Sequence, residues 1–552
     1  MLYFIPAWYS GDGWREDEQC WYRRRTRTET DDTVKQIQLF QRNPICPYRI
    51  LLLSHAPNFR HFLHRQGTFR VPYWSVFDAI QEVRRRKQAL FSFRDLAWPG
   101  DVEFLYTPFT ILARRAGERY ASVEFGEYGN LIRVDLYRDG ALSRQNLYDD
   151  RGFLSCTCVY ESGERVYDQY MTDKGVWKLR HFADGSVRVN PESCRYLTGA
   201  PEAEARLPFR KTAYASMEEV VGEVLEAFLR TTGREDLFCA AAHPRHLPLL
   251  DRLLADRRRV YSVFGNRLPP GCGREALSRG DCLVADSEET LETLSREACL
   301  ASVEKRHIPP YDTRIEPGIS QQLRVQKILL PVDHLPGKTL EAAVRAMAAY
   351  LRGNGKARVC LFTRNAALGW EDELLARVRE LLERSGYPPE WAGKAARRDA
   401  EVLPDAGDRI PVMFTVEQCV DELSVNKCVR EQRLLVDLAD RPDLFLQILC
   451  VGVGIPQIVR TATEYLRPGE NGRINREISR LGEDLAYYLD SLRNWNQAAI
   501  RSYELGETHT AQNLIDLWKE VIDHVEGGTG AAAGEDGLQQ DGGDLGAGGV
   551  VL

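Results

Sequence analysis

The sequence predicts an α/β protein, two parallel-sheet domains facing one another with an antiparallel β-meander inserted in the first. Three observations predict it. Strand-like and helix-like segments alternate in the first hundred residues. Turn glycines then recur every 10 to 12 residues from Gly129 to Gly185, and strand–helix alternation resumes beyond them. The expected division is 1–99 with 196–317 for the first domain, 100–195 for the insert and 318–475 for the second domain. Helices packing across both domains are expected over 476–525, and a disordered glycine-rich, acidic tail over 526–552.

In chain order, "MLYFIPAW" is a strand, and 31–42 is a helix with Asp31 or Asp32 as N-cap and Val34, Ile37 and Phe40 on one stripe. The run "YRILLLSHAP" (48–57) is apolar enough for a strand buried on both faces, and a short helix after it closes at Gly67. In the insert, Gly129, Gly140, Gly152, Gly163, Gly175 and Gly185 separate period-two segments such as "LIRVDLY", the pattern of hairpins. A helix over 216–233 has Ser216 as N-cap, Glu219 as capping-box partner and Gly233 as stop. "DLFCAAAH", "RVYSVFG" and "DCLVADS" are buried strands, and "HIPPYDTRIEPG" (307–318) is the inter-domain link. The second set runs through "QKILLPVD", "ARVCLFT", "RIPVMFT" and "QRLLVDL" with helices between them. From Glu477 one long helix carries Ile478, Leu481, Leu485, Leu489, Leu492, Trp495 and Ala499 on a single stripe, and another helix follows at 511–525.

Composition narrows the function classes. Over 552 residues, 43% are hydrophobic and 28% charged, the balance of a water-soluble globular protein. No stretch approaches the roughly 18 apolar residues of a membrane span. The opening residues lack a basic leader and are broken by Pro6, so no signal peptide and a cytoplasmic location are expected. A net charge of −7 argues against nucleic acid as partner. The basic runs at 23–27, 84–87 and 257–259 are read as solvated faces, each able to dock an acidic partner or lipid headgroups. Thirteen cysteines show no zinc-like spacing, and Cys156 and Cys158 read as buried strand thiols. No metal and no cofactor are expected.

Two facing parallel-sheet domains form a ligand cleft between the carboxyl ends of their strands. Two stretches supply its candidate residues. The loop "AWYSGDGW" follows the first strand. Gly11 and Gly13 permit close backbone approach there, and Trp8, Tyr9 and Trp14 are able to stack on a ligand or to serve the core. In "DLFLQILCVGVGIPQIV", Asp443 opens an apolar helix that ends at Gly454, and Gln457 lies in the next strand. A helix N-terminus facing a cleft offers free N–H groups to a phosphate. His61 with His64, and His243 with His246, lack partners at a metal or triad spacing and read as structural. No G-x-S-x-G elbow occurs.

The same stretch resembles retaining glycosyltransferases of the two-Rossmann-domain, or GT-B, type. That family carries two glutamates there, and the matching positions in this chain are Arg441 and Leu449. The resemblance implies the fold without its acids.

A further set of segments, "YFIPAWYS", "YDDRGFLS", "GVWKLR", "YASMEE", "VDLADRPDLFLQIL", "GIPQI" and "YYLDSLRNWNQA", is similar to the first of the accessory secretory proteins of Gram-positive bacteria. That resemblance implies a non-catalytic GT-B-like protein, cytoplasmic and peripheral at the inner face of the membrane. The implied partners are the two other accessory secretory proteins, the accessory SecA ATPase and a serine-rich glycoprotein adhesin undergoing export. The alternatives are an active glycosyltransferase using Asp443, Glu464 or Glu470, and a carbohydrate-binding module built on the meander. The meander's strand edge is also a place for a partner to add a strand.

Overall fold

A computed structural model of the chain describes residues 1–11, 13–16, 31–85, 87–89, 91–193, 209–265, 267–365, 367–394 and 411–532. The basic run at 23–27 and the stretch 533–552 lie outside them.

The first sheet takes β1 (Leu2–Ile5), β2 (Tyr48–Leu52) and β3 (Tyr73–Ser75) from before the insert. The antiparallel sheet holds β4 (Val102–Tyr106), β5 (Ile111–Arg115), β6 (Glu118–Phe125), β7 (Leu131–Arg138), β8 (Ala141–Asp149), β9 (Phe153–Glu161), β10 (Glu164–Met171), β11 (Trp177–Phe182), β12 (Val187–Val189) and, beyond residue 195, β13 (Ala213–Tyr214). The first sheet resumes with β14 (Leu237–Ala241), β15 (Arg258–Val263), β16 (Cys282–Ala285) and β17 (Glu304–His307). The second parallel sheet holds β18 (Gln326–Pro331), β19 (Ala357–Thr363), β20 (Phe414–Gln418), β21 (Leu434–Asp437), β22 (Gln457–Val459) and β23 (Gly472–Ile474).

The connecting helices of the first half are α1 (Asp32–Arg42), α2 (Phe59–Arg65), α3 (Val76–Ile80), α4 (Met217–Leu229), α5 (Leu247–Leu253), α6 (Arg274–Ser278) and α7 (Glu288–Arg296). Those of the second are α8 (Gly337–Gly353), α9 (Trp370–Arg384), α10 (Glu422–Arg430) and α11 (Leu444–Val453), followed by α12 (Leu481–Leu489), α13 (Leu492–Gly506) and α14 (Ala511–Ala532).

The first sheet has the order β17-β16-β15-β14-β1-β2-β3 and the second β20-β19-β18-β21-β22-β23, every pairing parallel. Strands buried on both faces explain their unbroken apolar runs: β14, β16, β19 and β21 are buried at every residue. The antiparallel sheet is a ten-stranded meander in chain order. All six turn glycines adopt positive φ, from 73° at Gly129 to 88° at Gly185, where a Cβ is disfavoured. Its near end, with Cys156, Cys158, Tyr170 and Leu179, joins one core face of the first sheet. Its far end has a separate cluster around Phe93, Val123 and Val134.

Several elements differ from the expectation. The long helix from Glu477 is three pieces, a short 3-10 turn at Ile478–Arg480, then α12 and α13. Ser491 is extended and its hydroxyl accepts from Asn494 N, so the apolar spacing continues through a chain break, and Leu492 is 59% exposed. The three helices then diverge: Leu481 and Leu485 pack in the second sheet's core, Trp495 and Ala499 against α11, and Trp518 edge-on to Phe40 of α1. Ser216 caps α4, but the Glu219 side chain turns to Lys211, and the helix ends at Leu229, ahead of Gly233. Gly233 instead donates its N–H to Asp236 in a turn. Helix α14 runs to Ala532, seven residues into the stretch expected to be disordered.

Candidate functional site

In each parallel sheet the strand order reverses once, at β1/β14 and at β18/β21, and ligands of doubly wound sheets bind outside such points. Both sequence-selected stretches sit there.

On the first sheet's side, the loop after β1 is knitted into the protein. Ser10 N donates to Arg15 O at 2.8 Å and His55 N to Trp14 O at 2.8 Å, fastening the loop to the chain beyond β2. Trp8 is buried on Phe62, with ring centroids 4.8 Å apart, and its indole N–H donates to Asp31 Oδ1 at 3.0 Å. Trp14 is buried edge-on to Tyr9 at 5.7 Å. The Tyr9 hydroxyl lies 2.9 Å from His246 Nδ1, and His246 Nε2 lies 2.6 Å from Ala241 O. A carbonyl only accepts, so Nε2 carries the proton and Nδ1 accepts from Tyr9. Burial holds the His246 imidazole down at about 3, so it stays neutral and fixed rather than acting as a base. Gly11 adopts φ 58° in the turn, and a Cβ on Gly13 would meet Arg15 Cγ at 3.5 Å.

Beside the loop lies a charged cluster. Arg267 donates to both oxygens of Asp32 at 2.7 Å and to Asp31 Oδ2 at 3.2 Å. Asp31 also caps α1, and burial together with the neighbouring Asp32 pushes it up to about 6. Burial works against the Asp32 charge too, but Arg267 overrides it and holds that carboxyl below its ordinary value.

On the second side, Asp443 is the N-cap of α11. Its Oδ1 accepts from Leu446 N at 3.1 Å and its Oδ2 from Arg364 Nη2 at 2.9 Å. Its own N–H donates to Asp437 Oδ2 at 3.0 Å. Asp437 ends β21 and is 1% exposed; burial pushes it up to about 7. The anion slot at this helix N-terminus is therefore filled by the chain's own carboxylate.

The facing sides are tied directly. Lys35 of α1 donates to Glu422 Oε2 of α10 at 2.6 Å and lies 5.4 Å from the Phe445 ring centroid. Arg42 grips Asp312 through two nitrogens at 2.8 and 2.9 Å, and Tyr311 packs on Phe445 at 5.2 Å. The cavity that Lys35, Tyr311, Glu422, Phe445 and Leu449 line measures ≈ 50 Å³. A liquid water occupies about 30 Å³ and a small-molecule site roughly 300–1,000 Å³. There is room for a water or two here and none for a sugar nucleotide.

Leu449 lines that cavity half-buried, and Arg441 is exposed. Gly454 ends α11 at φ 77°, where a Cβ would lie 2.3 Å from Tyr503 Cζ; it serves close packing by α13. Gln457 is fully buried with its amide toward the carbonyls of Gln447 and Tyr465 at 3.3 and 3.4 Å. Glu464 is spent on His307 at 3.3 Å, and Glu470 lies 4.0 Å from Arg467. Trp8, Tyr9, Trp14, Asp443, Gly454 and Gln457 thus each have a packing or hydrogen-bonding task within the protein, and Glu464 of the second half reaches His307 of β17 in the first. The residues that close the cleft, Lys35, Arg364 and Glu422, carried one local signal: Arg364 stands directly after a fully buried strand, at its carboxyl end.

A second surface is the meander's outer edge. Among the described residues strand β4 pairs only with β5, and Leu105, Tyr106 and Phe109 are 47%, 56% and 45% exposed around it. Among the described residues no helix is long and apolar enough to cross a membrane.

Known proteins match the chain over most of its length. The sequence model of the accessory Sec system protein numbered 1 among the accessory secretory proteins matches residues 1–525. The protein of that description from Streptococcus gordonii is 33% identical over 542 residues, 95% of this chain and 100% of its own. A solved complex of accessory secretory proteins 1, 2 and 3 from Streptococcus pneumoniae contains a chain similar at TM-score 0.76 and 28% identity, covering 96% of this chain and 100% of that one. The pneumococcal O-GlcNAc transferase GtfA, solved with UDP and GlcNAc, shares the fold at TM-score 0.61 and 12% identity, covering 95% of this chain and 99% of that one. The fold is thus GT-B-like, with an antiparallel sheet added.

Proposed function

The chain belongs to the accessory Sec system family of accessory secretory protein 1, and on that premise we propose that it serves export as a binding and scaffolding component without sugar-transfer activity. Its membership makes it a component of an accessory secretion system. The further reading rests on one observation, the filled site: Asp443 caps the α11 N-terminus and is held by Arg364, and the cavity that Lys35, Tyr311, Glu422, Phe445 and Leu449 line between the two halves measures ≈ 50 Å³. Leu449 and Arg441 supply no carboxylate where the resemblance to glycosyltransferases puts two. We assign the two parallel sheets to the two expected domains and the meander to the insert. The α12–α14 segment bridges them, because α12 packs on the second sheet's core and α14 on the first's.

The partners we assign are two further accessory secretory proteins, as in the pneumococcal complex, together with the accessory SecA ATPase and a serine-rich glycoprotein cargo. The location we assign is the cytoplasm, peripheral at the inner face of the membrane. The exposed β4 edge, with its aromatic rim, is the contact surface we favour for a strand-donating partner.

Incubating the purified chain with UDP-sugars and a serine-rich acceptor, and assaying the same sample for co-purification of the two partner proteins, tests the reading. The expected result is partner binding with no sugar transfer. Transfer that disappears in Asp443→Asn would overturn it.

A further inference from the structure

Away from the cleft, at the amino-terminal ends of β1, β2 and β3, a groove of ≈ 720 Å³ opens. Ile45, Cys46, Pro47 and Val71 give it apolar walls, and Arg49 and Arg70 add two cations. Arg70 is exposed, the Nε of Arg49 has no hydrogen-bond partner, and among the described residues neither forms an ion pair. An apolar trough carrying two uncompensated positive charges is suited to an extended segment that is both acidic and apolar.

The chain contains such a segment nearby. Val525 of α14 packs in the same core cluster that Ile45 and Cys46 flank, and α14 continues to Ala532. Ile45 and Cys46 also line the groove, which sets this end of α14 beside it. Beyond Ala532 come Glu535, Asp536, Asp541 and Asp544 with no Lys or Arg, interspersed with Leu538 and Leu545 and followed by Val550, Val551 and Leu552. The helix travels about 9 Å past Glu526, and 20 further residues reach roughly 65 Å when extended, ample to return. This stretch lies outside the family match, which ends at residue 525.

We propose that residues 535–552 dock in cis in the groove between Pro47 and Val71, with their carboxylates on Arg49 and Arg70 and their Leu and Val side chains on its apolar walls. A tether of this length holds the segment at roughly millimolar effective concentration. An intrinsic Kd of about 0.1 mM then fills some nine-tenths of the grooves.

Cys46 lines the groove and reports on it. Thiol labelling of the full chain with N-ethylmaleimide, read at Cys46 by peptide mass spectrometry with exposed Cys299 as internal control, is compared with a chain ending at Ala532. The expectation is labelling about ten-fold faster in the shortened chain. A synthetic peptide of residues 535–552 should slow it again. Arg49→Glu with Arg70→Glu in the full chain should speed it as the truncation does. Equal Cys46 rates in full and shortened chains would overturn the proposal. So would protection that disappears on dilution of the protein, since that assigns the occupant to a second copy.

Discussion

Arg364 donates to Asp443 at 2.9 Å, and through that contact the carboxylate that caps α11 is also half of an ion pair. Arg364 also lies 5.5 Å from the Phe445 ring centroid, and Phe445 meets Tyr311 and Lys35. Asp443 is thus linked, through Arg364 and Phe445, to the Lys35 contact that ties the two halves.

Removing that carboxylate should therefore cost stability. Asp443→Ala loses the cap, worth about 1 kcal/mol, and leaves a largely buried guanidinium without its partner, for a total of roughly 2–3 kcal/mol after allowing for partial exposure. Asp443→Asn keeps an acceptor for Leu446 N and should lose about half as much. Chemical denaturation of both variants reads the difference. No loss in Asp443→Asn would show that the charge pairing contributes nothing.

Gly454 gives a second test of the same segment. In Gly454→Ala the new methyl group must occupy a left-handed residue and the space of the Tyr503 ring. The expected destabilisation is about 2–4 kcal/mol, of which roughly 1 is backbone strain. Tyr503→Ala combined with it should recover the steric part only, giving a coupling well above about 0.5 kcal/mol in a double-mutant cycle. Simple additivity would mean that α13 does not press on the end of α11.

The buried Asp437 sets a pH dependence whose sign is unusual for a carboxylate. Its folded value of about 7 lies above the unfolded one of 3.8, so between those values the folded state binds more protons than the unfolded state. Its contribution is fully present below about pH 4, declines as pH rises, and is gone above about pH 7. Comparison with Asp437→Asn cancels the other raised carboxylates. The stability of wild type relative to the variant should fall between pH 5 and pH 7.5, by up to about 1.4 kcal/mol per pH unit. A constant difference would place Asp437 in contact with water.

Much of the fold was legible because it rests on local rules. Buried parallel strands demand unbroken apolar runs, and hairpin turns demand a residue tolerant of positive φ, which is why Gly129 to Gly185 marked the meander. Asp31, Ser216 and Asp443 announced helix starts and do cap them. The misses came from relations that spacing does not carry. The stripe from Leu489 to Trp495 keeps a helical period across the break at Ser491. The direction of Trp8 and Trp14 depends on Asp31, Phe62 and Tyr9, not on their neighbours in sequence. Closure of the cleft depends on Lys35 meeting Glu422, separated by 387 positions. The candidate loops were found at the strand ends where a ligand site belongs; that they are filled was visible only in three dimensions.

The measurement that bears most directly on the closed cleft is calorimetric titration of the purified full chain with UDP and with UDP-GlcNAc. A cavity of ≈ 50 Å³ predicts no saturable heat at millimolar nucleotide. Saturable binding with a sub-millimolar Kd, abolished by Leu449→Trp, which fills the cavity, would contradict the account and return the chain to the sugar-nucleotide-binding proteins whose fold it shares.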